Sequence, residues 1–183
     1  MSMAHAYRTG AYAPEPSIRG RRIAALTSDG VDDDVLATLT RTLTARGANV
    51  QLVAPRPGCI RTEAGVELHV DRSLITTRAA EFDAVFVPNG EKSVRELRWD
   101  PRAWVFLTEA CENRRAILAV GHGVELFDPN IDHRLAVCAD GRVVMAPSGV
   151  TLDATHDFVS AIAAGSCARA RARHAAAVTI SIL

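Results

Sequence analysis

No apolar run in this chain approaches the roughly 20 residues that cross a bilayer as a helix, which argues against a membrane partner. Neither sign of charge is in excess. The 21 Lys and Arg balance 21 Asp and Glu, so nothing favours nucleic acid or an anionic surface. The four cysteines, Cys59, Cys111, Cys138 and Cys167, form no C-x-x-C pair. That excludes a zinc knuckle and a thioredoxin-type redox motif. His69, His133, His156 and His174 have no metal-ligand spacing, and no metal is expected. G-x-G-x-x-G and G-x-x-x-x-G-K are both absent, so nucleotide binding has no motif behind it and no cofactor is expected. The first residues, Met1-Ser-Met-Ala-His-Ala-Tyr-Arg8, lack the apolar centre of a secretion signal. The expected location is the cytoplasm, with the cysteines as free thiols.

What is present suits one soluble domain: 183 residues, of which 48% are hydrophobic and 23% charged. Residues 1–19 carry Gly10, Pro14 and Pro16 without an apolar period and read as an arm or linker. Arg22–Thr27 reads as a strand, and Asp32–Arg46 as a helix with Val35, Leu36, Leu39 and Leu43 at helical spacing. Asn49–Ala54 is the next strand, which completes a βαβ unit and implies parallel pairing. Residues 59–70 suit a small hairpin, Asp83–Pro88 a core strand, Asn89–Ser93 a loop and Pro101–Asn113 a helix. Trp104, Leu107 and Cys111 share the inner face of that helix. Ala116–Val120 is a further strand; Arg134–Cys138 and Arg142–Ala146 are two short ones. A helix capped by Thr151 runs to about Arg173, and residues 175–183 form an apolar tail. Alternating elements with strands apolar on both faces predict an α/β doubly wound fold, a mainly parallel sheet of five or more strands with helices on both faces.

Ligands on such sheets bind beyond the carboxyl ends of the strands. Three loops fall there: Ser28-Asp29-Gly30, Asn89-Gly90 and Gly121-His122-Gly123. Gly30, Asn89, Gly90 and Gly123 are therefore the candidate ligand contacts. The last loop is a sharp strand-to-helix turn of the kind that seats a nucleophile, yet Gly121 has no side chain to attack with. His122 is the nearest acid/base candidate, with Asp29 or Glu125 as its partner. Asp32-Asp33-Asp34 reads as a solvated helix start, favoured by the helix dipole.

Several stretches carry a resemblance in their order and spacing. They are Gly20–Leu26 with Asp29–Asp32, Gly47–Pro55, Gly58 with Gly65, Phe82–Pro88, and Glu109-Ala110 before Ala116-Ile117. Over roughly residues 19–165 the chain resembles the DJ-1/PfpI group of class I glutamine amidotransferase-like domains, and within it the C-terminal domain of large-subunit, clade 2 monofunctional catalases. The resemblance implies a flavodoxin-like fold. In active members the turn reads A-x-C-H-G, the cysteine attacks, and the loop matching Pro88-Asn89-Gly90 supplies N–H groups to an oxyanion. Here Gly121 stands at the cysteine position, while His122 and Gly123 keep the rest of the motif. The acidic partner on the loop after the first strand has its best match near Asp34-Val35, where Val35 cannot serve. The resemblance thus implies a vestigial elbow and a structural, self-associating or chaperone-like role. Its implied partners are a second copy in a homodimer, a catalase core or a client protein. The chain is not itself a catalase: the haem is held by a tyrosine in a separate, longer core, and the only tyrosines here, Tyr7 and Tyr12, lie in the arm. The enzymatic alternative is a small-molecule lyase, hydrolase or isomerase that uses His122 without a covalent step.

Overall fold

A computed structural model describes residues 17–128 and 143–165. Its elements in chain order are β1 (Arg22–Leu26), α1 (Asp33–Ala45), β2 (Asn49–Ala54), β3 (Cys59–Arg61), β4 (Glu67–His69) and β5 (Arg72–Ser73). After a 3-10 turn at Ala79–Glu81 come β6 (Ala84–Val87), α2 (Glu91–Trp99), α3 (Pro101–Glu112) and β7 (Ala116–Val120). A 3-10 segment, Gly121–Phe127, and β8 (Val143–Ala146) follow, and residues 152–165 form helix α4.

Six strands make one sheet in the order β5-β2-β1-β6-β7-β8, and every neighbouring pair is parallel. β3 and β4 pair separately as an antiparallel hairpin, Ile60 opposite Leu68. The alternation of side chains along a strand divides the core in two. Ile23 and Ala25 of β1 face one layer with Phe86, Leu118, the α1 residues Leu36, Leu39 and Leu43, and Phe158 and Ile162 of α4. Ala24 and Leu26 face the other layer with Val85, Ile117, Val94 and Leu97 of α2, and Phe106 and Leu107 of α3. Both faces of the central strands β1, β6 and β7 are buried, which is why these stretches show unbroken apolar runs rather than alternation. This is the doubly wound, mainly parallel fold expected, with Ala116–Val120 inside the sheet rather than at its edge.

Helix termini follow the local chemistry. The Asp32 carboxylate accepts the Val35 N–H at 3.0 Å and starts α1. Thr151 does the same for α4, its hydroxyl accepting the Ala154 N–H at 3.1 Å. Asp100 caps α3 by accepting the Arg102 N–H at 2.9 Å, with Pro101 in the first turn. The hydrogen bonds from Arg102's side chain hold the Asp100 carboxyl below its usual range, although partial desolvation pulls the other way. A depressed folded-state pKa contributes stability above the unfolded value of about 3.9 and loses it as pH falls through the folded value. Asp100→Ala is therefore expected to cost about 1 kcal/mol at pH 7, as a lost N-cap. The deficit should shrink as the pH is lowered below about 3.9, where wild type loses the same charge. Urea denaturation of both proteins across that range checks it.

Three features differ from the sequence reading. Asn89–Ser93 reads as a loop, but Glu91–Ser93 open α2. That helix is mostly polar and buries one face through Ser93, Val94 and Leu97, a short helical spacing that the sequence reading passed over. β5 has two residues and no pattern of its own. Ile18, within the stretch read as an arm, is 1% exposed and packs into the α1 layer. The reading of Arg134–Cys138 as a strand, the far end of the last helix, and the apolar tail lie outside the described residues.

Candidate functional site

The sheet order reverses between β1 and β6, because β2 and β5 extend one way and β7 and β8 the other. The loops leaving β1, β6 and β7 converge beyond the strand ends there, where open α/β sheets bind ligands. The first two loops touch directly. The Asp32 N–H donates to the Asn89 carbonyl at 3.0 Å. Gly90 has a φ of 134°, and a Cβ there would lie 2.5 Å from the Gly30 carbonyl oxygen. Only glycine allows that approach.

β7 is buried along its whole length and delivers the chain to Gly121, whose φ is 55°. An L side chain in this left-handed region costs about 1–2 kcal/mol. The room such a side chain would need is already filled. A Cβ built on Gly121 would fall on Oδ1 of Asn89 and 2.6 Å from its Cγ. Asn89 is held there from two sides. Its Oδ1 accepts the backbone N–H of His122 at 3.0 Å, and its Nδ2 donates to Oδ2 of Asp32 at 3.0 Å. A backbone donor on one side and a carboxylate acceptor on the other fix which end of the amide is which. His122 Nδ1 lies 3.0 Å from the same Oδ1. Attraction there requires the proton on Nδ1, which leaves Nε2 as the basic nitrogen of the neutral ring.

The result is a chain of contacts, Asp32 to Asn89 to His122, that ties the cap of α1 to the elbow. It opens on a shallow cleft of about 450 Å³ lined by Asn89, Gly121, His122, Glu125, Ser148 and neighbouring backbone. Of the sequence candidates, the structure thus brings together Asn89, Gly121, His122 and Glu125. Gly30 and Gly90 form the contact between loops beneath, and Gly123 packs against Val87; none of the three lines the cleft. Asp29 points elsewhere. Its Oδ1 accepts the Arg61 N–H at 2.8 Å, and it lines a separate groove of about 950 Å³ beside Arg56, Arg95 and Trp99.

Sequence reasoning missed Asp32 and Ser148 as site members. Asp32 looks like one of three equivalent acids at a helix start, yet it is the residue whose carboxylate holds Asn89 against the elbow. Asp34 beside it is exposed. For Ser148 no local signal exists. Among the described residues no group of three or more His, Cys, Asp or Glu could hold a metal. Cys59 lies outside this cleft, along the groove that Asp29 lines, and desolvation and the neighbouring Glu67 raise its thiol above the ordinary value.

A parallel doubly wound sheet with a sharp turn after a buried strand defines a class of α/β domains, and the comparisons place the chain within it. The model of the DJ-1/PfpI family matches residues 21–130, and the chain belongs to that family. It is 39% identical over 160 residues to catalase HPII of Mycobacterium avium, a match covering 86% of this chain and 22% of that protein. It is 33% identical over 104 residues to catalase HPII of Pseudomonas aeruginosa, covering 57% of this chain and 15% of that protein. The similarity falls in the C-terminal region of these large-subunit catalases, so the chain spans about a fifth or less of their length. Among solved structures, a cysteine-to-alanine mutant of a DJ-1 superfamily protein from Salmonella typhimurium superposes with a TM-score of 0.64 at 16% identity. That match covers 84% of this chain and 97% of that one. Drosophila melanogaster DJ-1beta gives 0.61 at 14% identity over 79% of this chain and 89% of that one. These two establish a shared fold.

Proposed function

We propose that this is a non-catalytic DJ-1/PfpI domain of the catalase C-terminal type, acting in self-association, structural support or chaperone-like protection in the cytoplasm. The observation that carries the reading is Asn89. Covalent chemistry at an elbow needs a nucleophile and free N–H donors for the developing oxyanion. Here the nucleophile's room holds the Asn89 carboxamide, and the His122 N–H is already donating to it. The nucleophile is thus missing, and one N–H beside its position, that of His122, is already engaged. Exposed apolar side chains support the association. Ile75 and Val105, 58% and 68% exposed, line one groove of about 770 Å³ along α3. Apolar exposure of this kind suits a second copy, a catalase core or a client protein.

The test is a turnover assay on the purified chain with peroxide, small aldehydes and peptides, together with its mass by light scattering. The expected result is no activity above background, no haem absorption, and a dimer that Val105→Glu dissociates. The second reading, acid/base catalysis without a cysteine, has one observation in its favour: His122 is exposed in the cleft beside Glu125. Saturable turnover that disappears in His122→Ala would establish it in place of the first.

A further inference from the structure

We infer that the arch between the β3–β4 hairpin and the surface of α1 and β2 is a binding site for a small molecule with a compact apolar body and one ammonium group. The hairpin is tied down at both of its ends. At the tip, Arg61 N–H donates to the Asp29 carboxylate at 2.8 Å and Ala64 N–H to Oδ2 of Asp33 at 3.0 Å. Gly30 N–H and the Arg61 carbonyl add a bond of 2.7 Å. At the base, Val70 N–H donates to the Gly58 carbonyl at 2.8 Å, and Leu52 N–H to Oδ2 of Asp71 at 2.7 Å.

Between these anchors the hairpin does not close on its floor. A cavity of about 440 Å³ remains, walled by Leu36, Val50, Leu52, Val66 and Leu68. The space is a half-open groove, with Ala37, Val66, His69 and Asp71 exposed along it, and its volume falls within the size range of small-molecule sites, about 300–1,000 Å³. Its charged members carry one sign. Asp33 sits at the tip end and Asp71 at the base end, Thr40 and His69 are the other polar residues, and no Lys or Arg lines it. Asp71 spends one oxygen on the Leu52 N–H, and Asp33 accepts both the Ala64 N–H and the Thr62 hydroxyl. A carboxylate has roughly four lone-pair positions, so each keeps acceptor capacity for a cation. An apolar cavity with carboxylates at both ends selects an ammonium over a neutral or anionic group of the same shape. None of its lining residues is shared with the elbow cleft, so the inference stands apart from the reading given to that site.

The experiment titrates phenethylammonium, phenethyl alcohol and phenylpropanoate into the full chain and follows methyl NMR shifts, which the ligand's aromatic ring moves strongly. The expected result is binding of the ammonium about tenfold tighter than the alcohol, with no binding of the acid and shifts centred on Leu36, Val50, Leu52 and Leu68. Asp71→Asn keeps an acceptor for the Leu52 N–H and should abolish most of the ammonium's advantage over the alcohol. Ala37→Phe, at an exposed helix position on the rim, should abolish binding of both. Equal affinity for all three probes, no binding of any, or shifts elsewhere would overturn the inference. So would binding that appears only on dilution, which assigns the cavity to a second copy, or only on removal of residues 175–183, which assigns it to the chain's own tail.

Discussion

Gly121→Cys is expected to destabilise the fold by about 3–4 kcal/mol, and Gly121→Ala by nearly as much. The left-handed backbone at position 121 accounts for roughly 1–2 kcal/mol of this for any L side chain. The remainder comes from the collision with Asn89. A Cβ at 121 pushes the carboxamide off the exposed His122 N–H and away from its part-buried bond to Asp32, and each lost hydrogen bond costs on the order of 1 kcal/mol. The near equality of the two variants is the informative part, because it assigns the loss to the Cβ rather than to the thiol. Urea denaturation gives the free energies. A cost within a few tenths of a kcal/mol of zero would mean that the turn at 121 is permissive and that Asn89 moves freely.

Phe158→Ala is expected to cost about 3–5 kcal/mol, the range for emptying a fully buried aromatic site. Phe158 is 0% exposed and lies in the layer formed by α1, α4 and one face of the sheet. Leu152, six residues earlier on the same helix, is 90% exposed, and Leu152→Ala should change stability by less than about 0.5 kcal/mol. The contrast separates the packing of α4 from its intrinsic helicity, since alanine is a good helix former at both positions. Equal effects of the two would mean that α4 does not close this face of the sheet.

The parts of the fold legible in the sequence were those whose chemistry is local. Leu36, Leu39 and Leu43 announce α1 by spacing, Pro101 marks the start of α3, and Ala116–Val120 runs straight into a glycine. The 59–70 hairpin showed in its weak alternation alone. Helix α2 carries a short spacing of its own, Val94 and Leu97, but its first turn resembles any polar loop and no side chain caps its start. The elbow was half legible. Gly121 and His122 advertise a turn that lacks a nucleophile, but nothing local says what became of the space. That information lies in the pairing of residue 121 with Asn89, and of Asn89 with Asp32. Each contact joins loops distant in sequence that the order of parallel strands alone brings together. For the same reason Asp29 looked like an elbow residue and is not one: it shares a loop with Asp32, but its carboxylate turns to the hairpin.

The most direct test of the filled elbow is the free-energy coupling between positions 89 and 121. Four proteins are needed: wild type, Gly121→Cys, Asn89→Gly and the double variant, each compared by urea denaturation, with thiol alkylation followed against pH in the two that carry the new cysteine. If the Asn89 carboxamide occupies the nucleophile's room, removing it relieves the Cβ. The double variant should then be about 1–2 kcal/mol more stable than the sum of the single effects predicts. Its thiol, now facing the released His122 N–H, should titrate below the free value of about 8.5. Additive free energies, with an ordinary thiol in both cysteine variants, would contradict the account.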